Sequence, residues 1–403
     1  MWRSESPHDC TLAGRTQNAC YTGAMHEAPR LAVTELLGPS TGGIRAHVGE
    51  LSRRLAKRGW VVSVVGPSHV MDGAGQQDGV VEVPISWSLV ALVRARRQLR
   101  SQLGSAPADV IHAHGLKAAL VVLTIHRRGR RPRPPMVLTV HNLVTGTRHG
   151  LSARLLSRAE RCIIRRADHV VVISDEIDHR LAGLVADDRR TFVLPVSPTR
   201  HVGRSRHEVR AEYGIPDDAP MITIVARHHV QKDLPMFVRA FAQVVALMPS
   251  ARAVIVGDGP ERRAIEAEVN RLGLGQSVAV AGHRPNPVDE MSAADVVALS
   301  SRWEGSPLAV AECLSLGRPL VTTAVGTVMR HLTDAVNARV VAVGNEPAFS
   351  NALLDVLSDP DAAAAMGEAG RRVAATTFDP EHLVDGVEAI YRDLVARSAT
   401  PTT

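Results

Sequence analysis

Lysine is almost missing from this 403-residue chain: Lys57, Lys117 and Lys232 stand alone among 47 basic residues, and the rest are arginine. Aromatic side chains are also scarce, at 3%. So few rings cannot build a base-stacking platform, and no reader motif is present, which excludes nucleic acid as the expected partner. Cys10, Cys20, Cys162 and Cys313 are scattered without metal-ligand or disulfide spacing, as in a reducing compartment. No apolar run approaches the roughly 20 residues that cross a bilayer. The N-terminus lacks the apolar core of a signal peptide, so a cytoplasmic location is expected. Residues 1–28 are polar, turn-rich and without periodicity; they read as a disordered leader, with Met25 as an alternative start.

What is present describes a folded chain. Hydrophobic residues make up 45% and charged residues 22%, the balance of a globular protein long enough for two domains. Apolar runs such as Val110–His114, Met136–Val140, His169–Ser174, Met221–Ala226 and Ala253–Val256 alternate with amphipathic helical stretches. Strands joined by helices predict parallel α/β sheets.

The most informative stretch is Ser300 to Glu312. Ser306 suits an N-cap and Pro307 the first helical position, Leu308 to Leu316 is the apolar body, and Gly317 is the left-handed stop. First-turn N–H groups without intrahelical partners point at whatever anion lies in front of them. Glu304 precedes this helix and Glu312 lies within it, so two carboxylates can each accept from a hydroxyl pair. Taken alone, the same residues also describe a surface helix with two solvated glutamates. The flanking strands make the helix a βαβ crossover, with Glu304 at a strand's carboxyl end, where open parallel sheets bind ligands.

A second cluster follows the strand Met221–Ala226: Arg227-His228-His229-Val230-Gln231-Lys232-Asp233, ahead of an amphipathic helix over 235–246. Cations at a strand end suit a diphosphate, and a chain that avoids lysine elsewhere places one here. Gly257-Asp258-Gly259 follows another strand, but Arg262 stands where a third glycine would be, which disfavours a dehydrogenase-type dinucleotide fold. Gly42 and Gly43 open the helix 44–58; they allow close backbone approach to a ligand, although a plain βα turn would look the same.

Together these motifs resemble the retaining, nucleotide-sugar-dependent glycosyltransferases of the family 4 type, also called group 1. The resemblance rests on Glu304 and Glu312 in an E-G-x-P context, followed by a small-residue helix, G-x-P and a strand. It implies a GT-B fold: two doubly wound, Rossmann-like parallel-sheet domains facing across a cleft. The acceptor domain would span 29–200 and the donor domain 201–377, with a helix over 378–403 crossing back to the first. Arg227, Lys232, His141 and Glu304 would form the catalytic set. Glu312, Gly305, Ser306, Pro307, Leu308, Gly42, Gly43, Gly257 and Gly282 would hold the donor, with Glu312 on the ribose and Glu304 on the sugar. A nucleotide-diphosphate sugar is the expected co-substrate, with no metal and no resident cofactor, since no D-x-D motif is placed to hold an ion. The implied reaction moves a hexose-type sugar to a glycan, lipid-linked or small-molecule acceptor with retention of configuration.

The chain departs from the family pattern in three places. Asp233 replaces the usual glycine after the lysine, Val196-Ser197 replaces Asn-Gly in the linker, and V-G-G-x-x-E becomes Val325-Gly326-Thr327-Val328-Met329-Arg330. The last change keeps open a catalytically silent sugar-nucleotide-binding or scaffold protein of the same fold. From Arg94 to Arg166 only Asp109 and Glu160 oppose a long series of basic residues. Helical spacing sets Arg154, Arg158, Arg161 and Arg165 on one face, with Leu151, Leu155, Ala159, Cys162 and Ile163 on another; the helix over 87–103 is similar. A solvated basic face, an acidic polymer acceptor, or peripheral contact with an anionic inner membrane leaflet all fit. His112 and His114 share a strand face; with no acidic or cysteine partner nearby in the sequence, packing and hydrogen bonding are expected of them rather than metal binding.

Overall fold

The computed structural model describes residues 30–39, 43–68, 79–84, 88–125, 133–141, 151–197 and 200–399. The expected leader and Gly42 lie outside the described residues. Both sheets belong to one compact unit, Leu31–Thr403. The first has seven strands: β1 (Ala32–Leu37), β2 (Val61–Gly66), β3 (Gly79–Val80), β4 (Val110–His114), β5 (Met136–Val140), β6 (His169–Val172) and β7 (Arg190–Phe192), in the order β3-β2-β1-β4-β5-β6-β7. The second has six: β8 (Met221–Val225), β9 (Arg252–Val256), β10 (Val278–Gly282), β11 (Val296–Leu299), β12 (Leu320–Thr323) and β13 (Arg339–Val341), ordered β10-β9-β8-β11-β12-β13. All paired strands run parallel.

Each sheet reverses its winding once, between β1 and β4 and between β8 and β11, and that switch point is where doubly wound folds leave a crevice. Helices cover both faces, so β4, β5 and β6 are buried along their whole length, which is why their sequences are near-continuous apolar runs. The edge strands β7 and β13 have three residues each, too few for any periodicity to register.

The last helix, Pro380–Ala399, starts with Asp379 Oδ1 accepting from the Glu381 N–H at 3.1 Å. It lies against the helix Gly43–Lys57 and buries Leu383, Val384, Val387, Ile390, Tyr391 and Leu394. Arg58 donates to Asp385 at 2.6 Å and to Glu388 at 2.9 Å, and Trp60 Nε1 donates to Glu388 at 3.0 Å. Burial of each large apolar side chain is worth about 1.5–3 kcal/mol, so apolar contact fixes this helix and the ion pairs set its register.

One expectation about the basic helices fails. On the helix Leu151–Arg165, Leu155 and Cys162 are exposed beside the arginines, whereas Glu160, Ile163 and Ile164 are buried. The buried stripe is rotated because Ile163 and Ile164 enter the first-lobe core, where this helix packs on the helix Leu116–Leu123.

Candidate active site

The loop after β8 is shaped by glycines in the turn that follows the neighbouring strand β9. Gly257 has φ +132°, and a Cβ there would lie 1.9 Å from the Ala226 carbonyl oxygen; at Gly259 it would lie 2.4 Å from that of His228. Only glycine permits so close an approach. The backbone of Ala226–His228 is thereby pinned, with the His228 N–H donating to the Asp258 carbonyl at 2.9 Å. Gly257 also donates to the Gly282 carbonyl at 2.8 Å. Both glycines thus have a structural reason for being there. Arg227, at the tip, is exposed.

Lys232 ends a single 3-10 turn, Val230–Lys232, and Asp233 then takes φ +47°, ψ +43°. Asp is one of the few residues that adopt this left-handed conformation readily, which explains how it replaces the family's glycine. Its carboxylate is gripped by Arg302 at 2.7 and 3.2 Å. The pair ties the β8 loop to the loop after β11, and Ser300 Oγ donating to the Lys232 carbonyl at 2.8 Å ties it again. Lys232 Nζ is thereby brought into an ion pair with Glu304. Glu304 also accepts from Ser301 Oγ at 2.6 Å and Gln231 Nε2 at 3.3 Å.

The helix start differs from the expectation. Helical geometry begins at Leu308; Pro307, at φ −73° and ψ 116°, occupies the cap position, and no side chain caps it. Ser306 therefore is not the N-cap. The cause lies in the preceding backbone: the Gly305 carbonyl accepts from the Thr327 N–H at 2.9 Å, and a Cβ on Gly326 would come within 2.9 Å of that oxygen. This contact fixes the backbone just ahead of the helix, so that the helix opens at Leu308. Opposite Leu308 stands Gly43, where a Cβ would be 3.6 Å from Leu308 Cδ1. Two helix starts, Gly43–Lys57 and Leu308–Ser315, thus face each other where the lobes meet.

Glu312 sits one turn into its helix with little exposure, and burial pushes its carboxyl up to about 7 against the opposing charge of Arg200. Arg200, from the interlobe linker, is 3.4 Å away through Nε, and its Nη1 donates to the Pro285 carbonyl at 2.5 Å.

The first lobe contributes His141, buried at the end of β5. A Cβ on Gly305 would lie 3.4 Å from Ile173 Cδ1 and 3.8 Å from the His141 carbonyl oxygen, so this glycine lets the Glu304 loop rest on the first lobe. Behind His141 the expectation about His112 and His114 needs correcting. An acidic partner is present: Glu35, which the parallel register of β1 and β4 sets opposite His112. His114 Nε2 is 2.7 Å from Glu35 Oε2, and His114 Nδ1 is 3.3 Å from His141 Nε2. Donor atoms of Glu35, His112 and His114 lie within 4.8 Å of one another, yet each hydrogen-bonds to the protein, including Tyr391 O–H to Glu35 at 2.9 Å. Burial favours a raised Glu35 pKa, but neighbouring His112 and hydrogen bonds from both histidines outweigh it and hold the carboxyl well below the ordinary range. Burial lowers His47 to about 3 and His114 to about 4, and His141 also falls well below its usual value.

The departing residues Thr327 and Arg330 also lie between the lobes. Thr327 Oγ1 accepts from the Asp175 N–H at 3.2 Å, and Arg330 pairs with the Asp175 carboxylate at 2.5 Å while its guanidinium covers the Phe192 ring at 5.3 Å.

Residues 205–373 match the family described as glycosyl transferases group 1, and residues 42–197 match the glycosyl transferase 4-like domain. The chain belongs to the group 1, family-4-type glycosyltransferases. An alpha-D-kanosaminyltransferase of Streptomyces kanamyceticus is 26% identical over 338 residues, covering 78% of this chain and 84% of that protein. A D-inositol 3-phosphate glycosyltransferase of Geodermatophilus obscurus is 28% identical over 391 residues, covering 87% and 84%. Among solved structures, sucrose-phosphate synthase of Thermosynechococcus elongatus superposes with a TM-score of 0.75 at 21% identity, over 91% of this glycosyltransferase and 100% of that chain. Anabaena HepE in complex with UDP-glucose gives 0.75 at 17%, over 90% and 100%. The GT-B fold is thus established. No described helix is long and apolar enough to cross a membrane.

Sequence reasoning missed Glu35, Arg200, Tyr391 and the Arg302–Asp233 pair. Only Glu35 carried a signal: a carboxylate in the middle of the apolar strand Ala32–Leu37 must find buried donors.

Proposed function

We propose that this glycosyltransferase moves a hexose-type sugar from a nucleotide-diphosphate sugar to an acceptor, with retention and without a metal ion. The observation that carries the reading is the Lys232–Glu304 pair, with exposed Arg227 on the same loop after β8, near two facing helix starts. The diphosphate would draw Lys232 from Glu304 and take Arg227 and the N–H groups around Leu308 as further partners. Glu304, released, would accept from sugar hydroxyls; Glu312 would accept from the ribose, and His141 would contact the sugar. Gly257 and Gly282 would border the nucleoside. As the anomeric C–O bond breaks, negative charge grows on the leaving diphosphate, and each well-aimed cation lowers the barrier by about 3 kcal/mol, or roughly a hundredfold in rate. Two cations and two helix ends supply the charge that a metal supplies elsewhere. HepE was solved with UDP-glucose, which favours UDP-sugars as the first donors to try.

The acceptor side belongs to the first lobe. On the helix Leu89–Ser105, Leu89 is 79% and Val90 76% exposed, and they line a surface hollow with Val93, Arg94 and Arg97. Exposed Leu155 lies among arginines on the helix Leu151–Arg165. Apolar side chains gain from an acyl layer and nothing from an acidic polymer, so a lipid-linked acceptor at an anionic leaflet is the reading preferred. Sedimentation with phosphatidylglycerol vesicles tests it, and no binding at low salt would reject it.

The function is tested by a thermal-shift panel of UDP- and GDP-hexoses, since a donor at a hundred times its Kd adds about 2.7 kcal/mol. NMR of the product anomer and turnover in EDTA follow. An inverted product rejects retention; loss of turnover in EDTA rejects metal independence; no shift with any donor sinks the whole reading. Arg330, an arginine where the family has glutamate, favours one rival, a sugar-nucleotide-binding protein without turnover. A donor-induced shift with no transfer to any acceptor or to water would select it.

A further inference from the structure

Behind His141 a chain of hydrogen bonds runs through three strands and ends on the C-terminal helix. Glu35 on β1 is fully buried, and its Oε1 accepts from the Tyr391 hydroxyl at 2.9 Å. Tyr391 spends its one proton there, so its oxygen accepts from His112 Nδ1. The other oxygen, Glu35 Oε2, lies 2.7 Å from His114 Nε2. An ionised carboxylate can only accept, so this nitrogen carries the proton. A neutral His114 then has a lone pair at Nδ1, and His141 Nε2, 3.3 Å away, must be the donor. His141 is left with a lone pair at Nδ1, a nitrogen with no partner among the described residues.

We infer that Glu35, acting through His114, fixes the tautomer of His141 so that its Nδ1 stands as a hydrogen-bond acceptor. Glu35 and His114 are positioning residues, and Tyr391 holds Glu35 from the far end of the chain. The direction of every bond depends on Glu35 being acceptor-only. A side chain of the same shape that donates toward His114 reverses the sequence: His114 then carries its proton on Nδ1, and His141 accepts at Nε2 and donates from Nδ1. Glutamine does this, because its amide oxygen takes the Tyr391 proton and its NH2 group faces His114. The low titration range of His114 agrees with a neutral ring at pH 7. That the freed acceptor meets a donor-sugar hydroxyl rests on the function proposed above; the tautomer itself does not.

The test is nitrogen-15 NMR of histidine-labelled full-length protein at pH 7 without ligand, with the His141 signals identified by their loss in His141→Gln. In the native protein a protonated Nε2 and an unprotonated Nδ1 are expected at His141, and the two roles should exchange in Glu35→Gln. An unprotonated Nε2 or a doubly protonated ring in the native protein overturns the inference without any variant having to fold. Unaltered roles in a folded Glu35→Gln overturn it as well. So does a zinc ion that copurifies with the native protein and is lost from Glu35→Gln, since His114 Nε2 would then be a metal ligand. Turnover of Glu35→Gln should fall roughly tenfold, the worth of one misdirected hydrogen bond. Exchange of the tautomer with turnover intact supports the relay and counts against the sugar contact alone.

Discussion

The two lobes share one strand order and equip it in opposite ways. Within β1 and β4 and just after β5 the first lobe buries Glu35, His112, His114 and His141, each within a few per cent of full burial. The second lobe keeps its charges in the loops that follow β8 and β11, with the Lys232 side chain at 17% exposure and Arg227 in the open. Desolvation drives His114 and His141 toward uncharged imidazoles beside one carboxylate; access to water leaves the second set able to exchange partners. On the function proposed above, a site divided in this way would orient uncharged hydroxyls on one side and neutralise phosphate on the other.

Single deletions should expose that division. Lys232→Ala is expected to lower kcat/KM by roughly a hundredfold to a thousandfold, the loss of one charge contact to the leaving group, with only a few degrees lost in Tm. His141→Ala, which removes a neutral hydrogen bond, should cost roughly tenfold. Steady-state kinetics of the pair decides the matter: a larger effect at His141 would overturn the assignment of charge chemistry to the second lobe.

Stability against pH should differ in sign between the lobes. His47 and His114 titrate at about 3 and about 4 in the folded protein, below the free value of about 6.5. Their contribution is therefore complete above about pH 6.5 and is lost as pH falls toward those values, on the order of 3 kcal/mol by pH 4 for His47. Glu312 works the other way. With its carboxyl at about 7, its contribution is complete below the free value of about 4.5 and is lost as pH rises through about 7. Urea denaturation from pH 4 to 8 should show His47→Gln flattening the acid limb and Glu312→Gln the neutral one. Ribose hydroxyls bind a carboxylate more tightly than a neutral carboxyl, so donor affinity should also rise, by up to about tenfold, from pH 6 to pH 8. Calorimetric titration that finds the same slope in Glu312→Gln would remove Glu312 from the donor site.

The smallest effect belongs to the contact between lobes. The Arg330 side chain is 56% exposed and that of Asp175 40%, so Arg330→Ala should cost less than about 1 kcal/mol of stability. It should change KM for the donor by less than about fivefold. Arg330→Glu sets two carboxylates together, and small-angle scattering should then report a larger radius than for Arg330→Ala. Equal radii would mean the pair has no part in holding the lobes together.

How far the sequence could be read depended on how local each feature was. Lys232, Glu304 and Glu312 sit in short strand-to-helix segments whose chemistry is visible in ten residues. The N-cap was misread because a distant partner, the Thr327 N–H, claims the Gly305 carbonyl and fixes the backbone ahead of the helix. The buried face of the helix Leu151–Arg165 was misread because its packing against the helix Leu116–Leu123, which spacing alone does not show, sets which stripe is covered.

By itself the sequence determined the parallel α/β alternation, the cation-bearing turn, the paired glutamates and thereby the family, because each is written within one element and its cap. Tertiary structure alone decided which groups meet: Glu35 with His114 across 79 positions, His114 with His141 across 27, and Tyr391 with Glu35 across 356. Those meetings depend on strand order and on where the last helix docks. Hydrophobic pattern fixes which face of an element is buried, but not which neighbour buries it.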